Sequence, residues 1–118
     1  MSTISGFKTL VQNFPEVTEQ VHFEHTSFQV NKKIFVTLDI SRERICVKLS
    51  VTDQDVFTIF DPAAIYAVPN QWGKKGWTFV ELRKTGDELL KDILTTAFIT
   101  VAPKRLSKPY TDYYKTKE

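Results

Sequence analysis

The side chains best suited to chemistry in this chain are cationic and aromatic, and they cluster in Trp72-Gly73-Lys74-Lys75-Gly76-Trp77. Lysines neutralise phosphates and release counterions, while an indole stacks on an unpaired base or wedges at a base step. Glycines flanking Lys74-Lys75 let the backbone turn and approach a partner closely. Lys32-Lys33 makes a second basic turn, and Arg42 with Arg44 a third, the latter divided by Glu43. Nucleic-acid contact through Lys32, Lys33, Lys74, Lys75, Trp72, Arg42 and Arg44 is therefore one expectation. The competing one is that both tryptophans anchor the core while the charges solvate ordinary turns.

Other chemistry is thinner. His22, Glu24 and His25 invite a metal, but in an extended segment His22 and Glu24 share a face and His25 points away. A hydrogen bond that pins a turn accounts for them more simply, and no metal or cofactor is expected. Cys46 stands alone, which excludes a disulfide within the chain and a zinc site of several thiolates. It lies mid-strand with no base beside it in sequence, so a packed thiol is expected. No phosphate-binding glycine loop, dinucleotide fingerprint or nucleophile elbow is present. Asp53, Asp55, Asp87, Glu88 and Asp92 fall in helical regions, where solvation or the helix dipole explains them. Nothing compels an enzyme.

The elements that must position these groups follow from periodicity. Ile34, Val36, Leu38 and Ile40 alternate with Phe35, Thr37 and Asp39; Ile45, Val47, Leu49 and Val51 alternate with Cys46, Lys48 and Ser50. Side chains alternate across a strand, so residues 33–51 predict a β-hairpin through Ser41-Arg42-Glu43-Arg44 with one aliphatic face and one mixed face. Ile4, Phe7, Val11 and Phe14 recur at helical steps, predicting a helix over residues 3–13 that Pro15 stops. Residues 18–23 and 27–30 read as strands. Thr52 caps a short helix over 53–60 whose apolar side is Val56, Phe57 and Phe60. Residues 64–68 and 77–82 are further strands, with Gly73 to Gly76 a loop. A last helix begins near Asp87, presents Leu90, Ile93, Leu94, Ala97, Phe98 and Val101, and ends near Ala102 because Pro103 removes a backbone donor.

At 118 residues and a formal charge of +2 the chain is one domain with room for a stable core and no polyelectrolyte character overall. Residues 1–106 form that domain; 107–118 are a polar, partly basic tail carrying Tyr110, Tyr113 and Tyr114, which either frays or packs back. No apolar run approaches the roughly 20 residues needed to span a bilayer. Residues 1–8 lack a basic stretch leading into an apolar one. A cytoplasmic, soluble monomer is expected. Strands cluster rather than alternate with helices, which argues an α+β antiparallel sheet with two main helices on one face and a short middle helix.

Phe14-Pro15-Glu16-Val17-Thr18-Glu19, Phe23-Glu24-His25, Phe28-Gln29-Val30 and Lys33-Ile34-Phe35 resemble the opening of the MmcQ/YjbR family of small bacterial proteins. The Trp72 to Trp77 loop leading into a strand, and a closing helix ending in a basic stretch, resemble that family's later landmarks. The similarity runs from Phe7 to Leu106. It implies a CyaY-like (frataxin-like) α+β fold and DNA binding through a double wing of β-hairpin loops, with no reaction attached. Two departures stand out: Ala97-Phe98 replaces a frequent Ser-Tyr pair, and Pro103 sits where a helix-compatible residue is usual. The frataxin likeness raises iron, yet residues 3–13 hold no carboxylate, and Glu16 with Glu19 is a thin site for a hard cation. A module binding a small molecule or a protein partner on the mixed face around Cys46 and Lys48 is the alternative to DNA. A concave pocket bounded by that face and Trp72 would favour it.

Overall fold

The computed structural model describes the backbone of residues 1–117 and the side chains of residues 1–113. The chain runs α1 (Ile4–Gln12), β1 (Val17–His22), β2 (His25–Val30), β3 (Lys33–Asp39), β4 (Arg44–Lys48), α2 (Val51–Phe60), β5 (Ile65–Ala67), α3 (Gln71–Lys74), β6 (Trp77–Glu81), α4 (Asp87–Val101) and α5 (Lys104–Lys117). A single 3-10 turn, Leu82–Lys84, follows β6. The strands form one antiparallel sheet in the order β1-β2-β3-β4-β6-β5. α4 crosses β3 and β4, with α1 and α5 against α4. The α+β class expected from the order of elements is the one observed.

Partners directly opposite in an antiparallel pair share a face. Phe28↔Val36, Leu38↔Ile45 and Ile45↔Val80 therefore look toward the helices, and all of these side chains are buried. The opposite face carries Ser27, Thr37, Cys46, Phe79 and Tyr66 in one transverse row, all of them half-buried. Burial of the apolar row drives helix docking, at roughly 25 cal/mol per Å² of apolar surface removed from water. An aromatic knot finishes the core: Phe14 stacks on Phe98 at 4.8 Å between centroids, and Phe35 meets Phe98 edge-on at 5.7 Å.

The departures from strict alternation have local causes. A bulge lies between β2 and β3, where Phe28 pairs with Val36 but Gln29 pairs with Ile34. The extra residue is Phe35, so Phe35 and Val36 are both buried and Ile34 swings out to the open face. Ile40 lies past the strand and is partly exposed. Ser50, not Thr52, caps α2, its Oγ accepting from the Asp53 N–H at 3.1 Å. Val51 therefore starts a helix instead of extending β4. Of the apolar side expected for α2, only Phe57 packs on the core, while Val56 and Phe60 are exposed. Gly73 to Lys75 is not open loop: one helical turn, α3, is capped by Asn70, whose Oδ1 accepts from the Trp72 N–H at 2.8 Å.

Pro103 ends α4 as its chemistry requires, but a second helix restarts at Lys104. The division at residue 106 thus falls inside α5. Tyr110 packs back, with its ring 5.4 Å from both Phe14 and Phe98. The side chains of Tyr114, Lys115 and Lys117, and all of Glu118, lie outside the described residues.

Backbone segments approach closely where α3 returns to the sheet. Gly76 has φ +104°, and a Cβ there would sit 1.8 Å from the Leu49 carbonyl oxygen, which belongs to the segment that receives the turn. Leu49 N–H in turn donates to the Gly76 carbonyl at 3.0 Å. Both the dihedral and the space demand glycine. Gly76→Ala is expected to lower the urea midpoint without changing the slope, a loss of about 2–4 kcal/mol. A loss below about 0.5 kcal/mol would contradict this packing.

Candidate nucleic-acid interface

Register fixes which basic turns come together. β2 ends at Val30 and β3 begins at Lys33; β4 ends at Lys48, opposite Trp77 at the start of β6. The Asn31-Lys32 turn, Lys33, Lys48 and the α3 turn with Lys74 and Lys75 therefore occupy one end of the sheet. At the usual strand spacing the two turns are separated by roughly 10–15 Å across it. All four expected lysines are exposed.

The Asn31-Lys32 turn is bent so that both residues have positive φ, 52° and 65°. Two such residues make the hairpin turn whose twist matches the strands. Asn tolerates this conformation, but Lys does so at a cost of about 1 kcal/mol. The second turn is held by Gln54 of α2, a residue that nothing in the sequence pattern singled out. Its buried Nε2 lies 2.9 Å from the Gly73 carbonyl, 3.2 Å from the Trp77 carbonyl and 3.1 Å from Thr78 Oγ1. Gly73 lets α3 press on the preceding segment, since a Cβ there would meet the Val68 carbonyl oxygen at 1.9 Å.

These anchors hold the backbone and leave the aromatic side chains presented. Trp72 is 58% exposed, and Trp77 is half-buried. The reading of both indoles as core anchors therefore does not hold. Lys75 Nζ lies 5.3 Å from the Trp72 ring centroid and Lys48 Nζ 5.9 Å from that of Trp77, within cation–π range. Lys48 also donates to the Lys75 carbonyl, which fixes its charge at the rim.

On the open face beside these rings lies a groove of about 400 Å³. Thr37, Cys46 and Phe79 floor it; Ile34, Val68 and the two tryptophans wall it, and among the described residues no acidic side chain lines it. Burial raises the Cys46 thiol to about 11, against weaker lowering by a backbone hydrogen bond from Thr78 and the charge of Arg44. It stays protonated at neutral pH. Cavities of similar volume lie between α1, α4 and α5 and at the β1–β2 end, but neither brings tryptophans and lysines together.

Arg42 and Arg44 sit at the opposite end of the sheet. Arg42 Nε is 3.7 Å from Asp39. Arg44 lies flat on Phe79, its guanidinium carbon 3.7 Å from the ring centroid, and donates to the Tyr66 hydroxyl at 3.2 Å. That hydroxyl donates to the Glu81 carboxylate. Arg44 is thus held within the fold, Arg42 is exposed beside Asp39, and neither joins the lysine end.

Carboxylates are handled separately. Glu16 precedes β1 at the lysine end, but Arg105 clamps it with bonds of 2.7 and 3.1 Å. That hydrogen bonding holds Glu16 below the usual carboxylate range. For Asp39, burial acts upward, but hydrogen bonds from Ser41 and the Arg42 backbone, with the charges of His25 and Arg42, bring it below its ordinary value. His22 and His25 prove to be cross-strand partners on one face, because a two-residue turn at Phe23-Glu24 joins their strands. His25 Nε2 lies 3.6 Å from Asp39. Among the described residues no three His, Cys, Asp or Glu side chains converge as metal ligands.

Fold and site together define a small α+β protein whose sheet presents one end rich in lysine and tryptophan. Residues 12–100 match the family model described as YjbR, and the chain belongs to the YjbR family. The fold is similar to that of Deinococcus radiodurans protein DR2400, a crystal structure carrying the family-model domain DUF419. The TM-score is 0.76 at 21% identity, covering 92% of this chain and 88% of that one. No curated protein matches the chain. Among the described residues no helix is long and apolar enough to cross a membrane.

Gln54→Leu keeps most of the volume but removes the donor shared by the turn. The expected result is a stability loss of about 2–3 kcal/mol and faster exchange of the Gly73 and Gly76 amides. Wild-type stability and exchange in this variant would show that Gln54 does not hold the turn.

Proposed function

We propose that this chain is a non-enzymatic DNA-binding protein that grips phosphates with two turns, as a double wing. Lys32 and Lys33 form one wing and Lys74 and Lys75 the other, with Lys48 between them and Trp72 supporting or inserting at a base step. The observation that carries the reading is their convergence on one end of the sheet, beside an exposed indole and a Glu16 already neutralised by Arg105. Arg42 and Arg44 are left out of the grip. The protein acts as a monomer in the cytoplasm, with DNA as partner and no metal, cofactor or membrane. The high Cys46 pKa of about 11 fits the absence of a nucleophilic step.

A second reading rests on the groove itself: a module for a small flat ligand, signalled by a rise in melting temperature when the ligand is added.

Anisotropy titrations with a short duplex test the first reading. Four phosphate contacts give a log–log salt slope of about −3.6, and Lys74→Ala/Lys75→Ala should flatten it by about 2 while weakening binding at low salt. Undetectable binding at low salt, or no loss in the double variant, would overturn it.

A further inference from the structure

We propose that the groove flanked by Trp72 and Trp77 seats one unpaired nucleobase, so that the protein holds single-stranded or gapped DNA better than intact duplex. This rests on the DNA-binding reading and names what that site takes.

The groove's walls favour a flat ring. Its volume of about 400 Å³ falls in the lower part of the range for small-molecule sites, roughly 300–1,000 Å³. Aromatic surface comes from Trp72, Trp77 and Phe79, and aliphatic surface from Ile34 and Val68. The polar groups in the lining include only the Thr37 hydroxyl, the Cys46 thiol and the indole N–H groups, too few to read a base edge closely. Stacking would therefore dominate, which every base supports.

Charge selects the occupant. Lys48 and Lys75 stand over the two indoles, and Lys74 is next to them in the α3 turn. An apolar ring with an anionic group attached fits both parts at once, and a nucleotide in a strand has that form. The groove's floor is built on β3, β4 and β6, each flanked by a strand on both sides. Their backbone groups are already paired, so a peptide cannot enter by adding a strand. Bases in a duplex are stacked on their neighbours and present only their edges. A ring must be unpaired or extruded to offer its face.

The experiment compares an oligothymidylate, the same deoxyribose-phosphate strand lacking bases, and a blunt duplex, each titrated by anisotropy at one low salt concentration. Oligothymidylate should bind at least about fivefold more tightly than either the abasic strand or the blunt duplex, and quench tryptophan emission where the abasic strand does not; a duplex bound as tightly as oligothymidylate would overturn the preference for unpaired bases. In Thr37→Phe, which fills the groove, that ratio should fall to about one. If this variant fails to fold, Trp72→Ala supplies the same comparison, and the wild-type ratio needs no variant. Equal affinity for the oligothymidylate and abasic strands would overturn the base site while leaving phosphate binding in place. Failure of all three probes to bind would overturn both.

Discussion

One buried carboxamide determines where the aromatic turn can sit. Gln54 belongs to α2, yet its Nε2 lies within hydrogen-bond distance of three oxygens in the segment 73–78. Buried acceptors left without donors are costly, so α2, α3 and the start of β6 hold together as a unit. Gly73 and Gly76 make the unit possible by allowing backbone contact that any Cβ would block. The result is a turn fixed from behind, on the helix side, with its indoles directed to the open face. A rigid support of this kind lets a side chain be both exposed and positioned.

The two ends of the sheet treat charge differently. At one end the arginines lie against carboxylates and aromatic rings: Arg42 on Asp39, Arg83 on Glu43 at 3.5 Å, and Arg44 on Phe79 and Tyr66. At the other end, lysines face solvent and the adjacent Glu16 is clamped by Arg105. Net charge alone, at +2, hides this separation. Exposed ion pairs contribute little to stability, commonly below about 1 kcal/mol. Their importance here lies in cancelling charge locally, which leaves the lysine end as a distinct cationic rim beside tryptophan.

Much of this architecture was legible in the sequence. The alternation of Val36 and Leu38 with Thr37 in β3 and of Ile45 and Val47 with Cys46 in β4, the stop before Pro15, and the start of α4 beside Gly86 all follow from local chemistry. What escaped has a tertiary origin. The bulge that buries Phe35 and exposes Ile34 depends on β2 pairing, which no period-two pattern reveals. His22 and His25 share a face only because their strands meet through a two-residue turn. Gln54 sits in a helix whose apolar positions Val56 and Phe60 are exposed, the reverse of what hydrophobicity orders. α5 restarts after Pro103, and its Tyr110 reaches the Phe14–Phe98 stack, a contact between segments far apart in the chain. The basic and aromatic residues could be named from sequence, but their grouping required the strand register, which brought the lysines together and set Arg42 and Arg44 apart.

The central claim is that a single cationic rim, at the end where β3 begins and β4 stops, makes the contact with DNA. An amide-resolved NMR titration of the labelled protein with a short DNA addresses it most directly. Shift changes should concentrate in residues 31–34, 48–49 and 72–77. Changes concentrated instead at Phe23-Glu24, residues 40–44 and the Leu82–Lys84 turn would place the contact at the opposite end and contradict it.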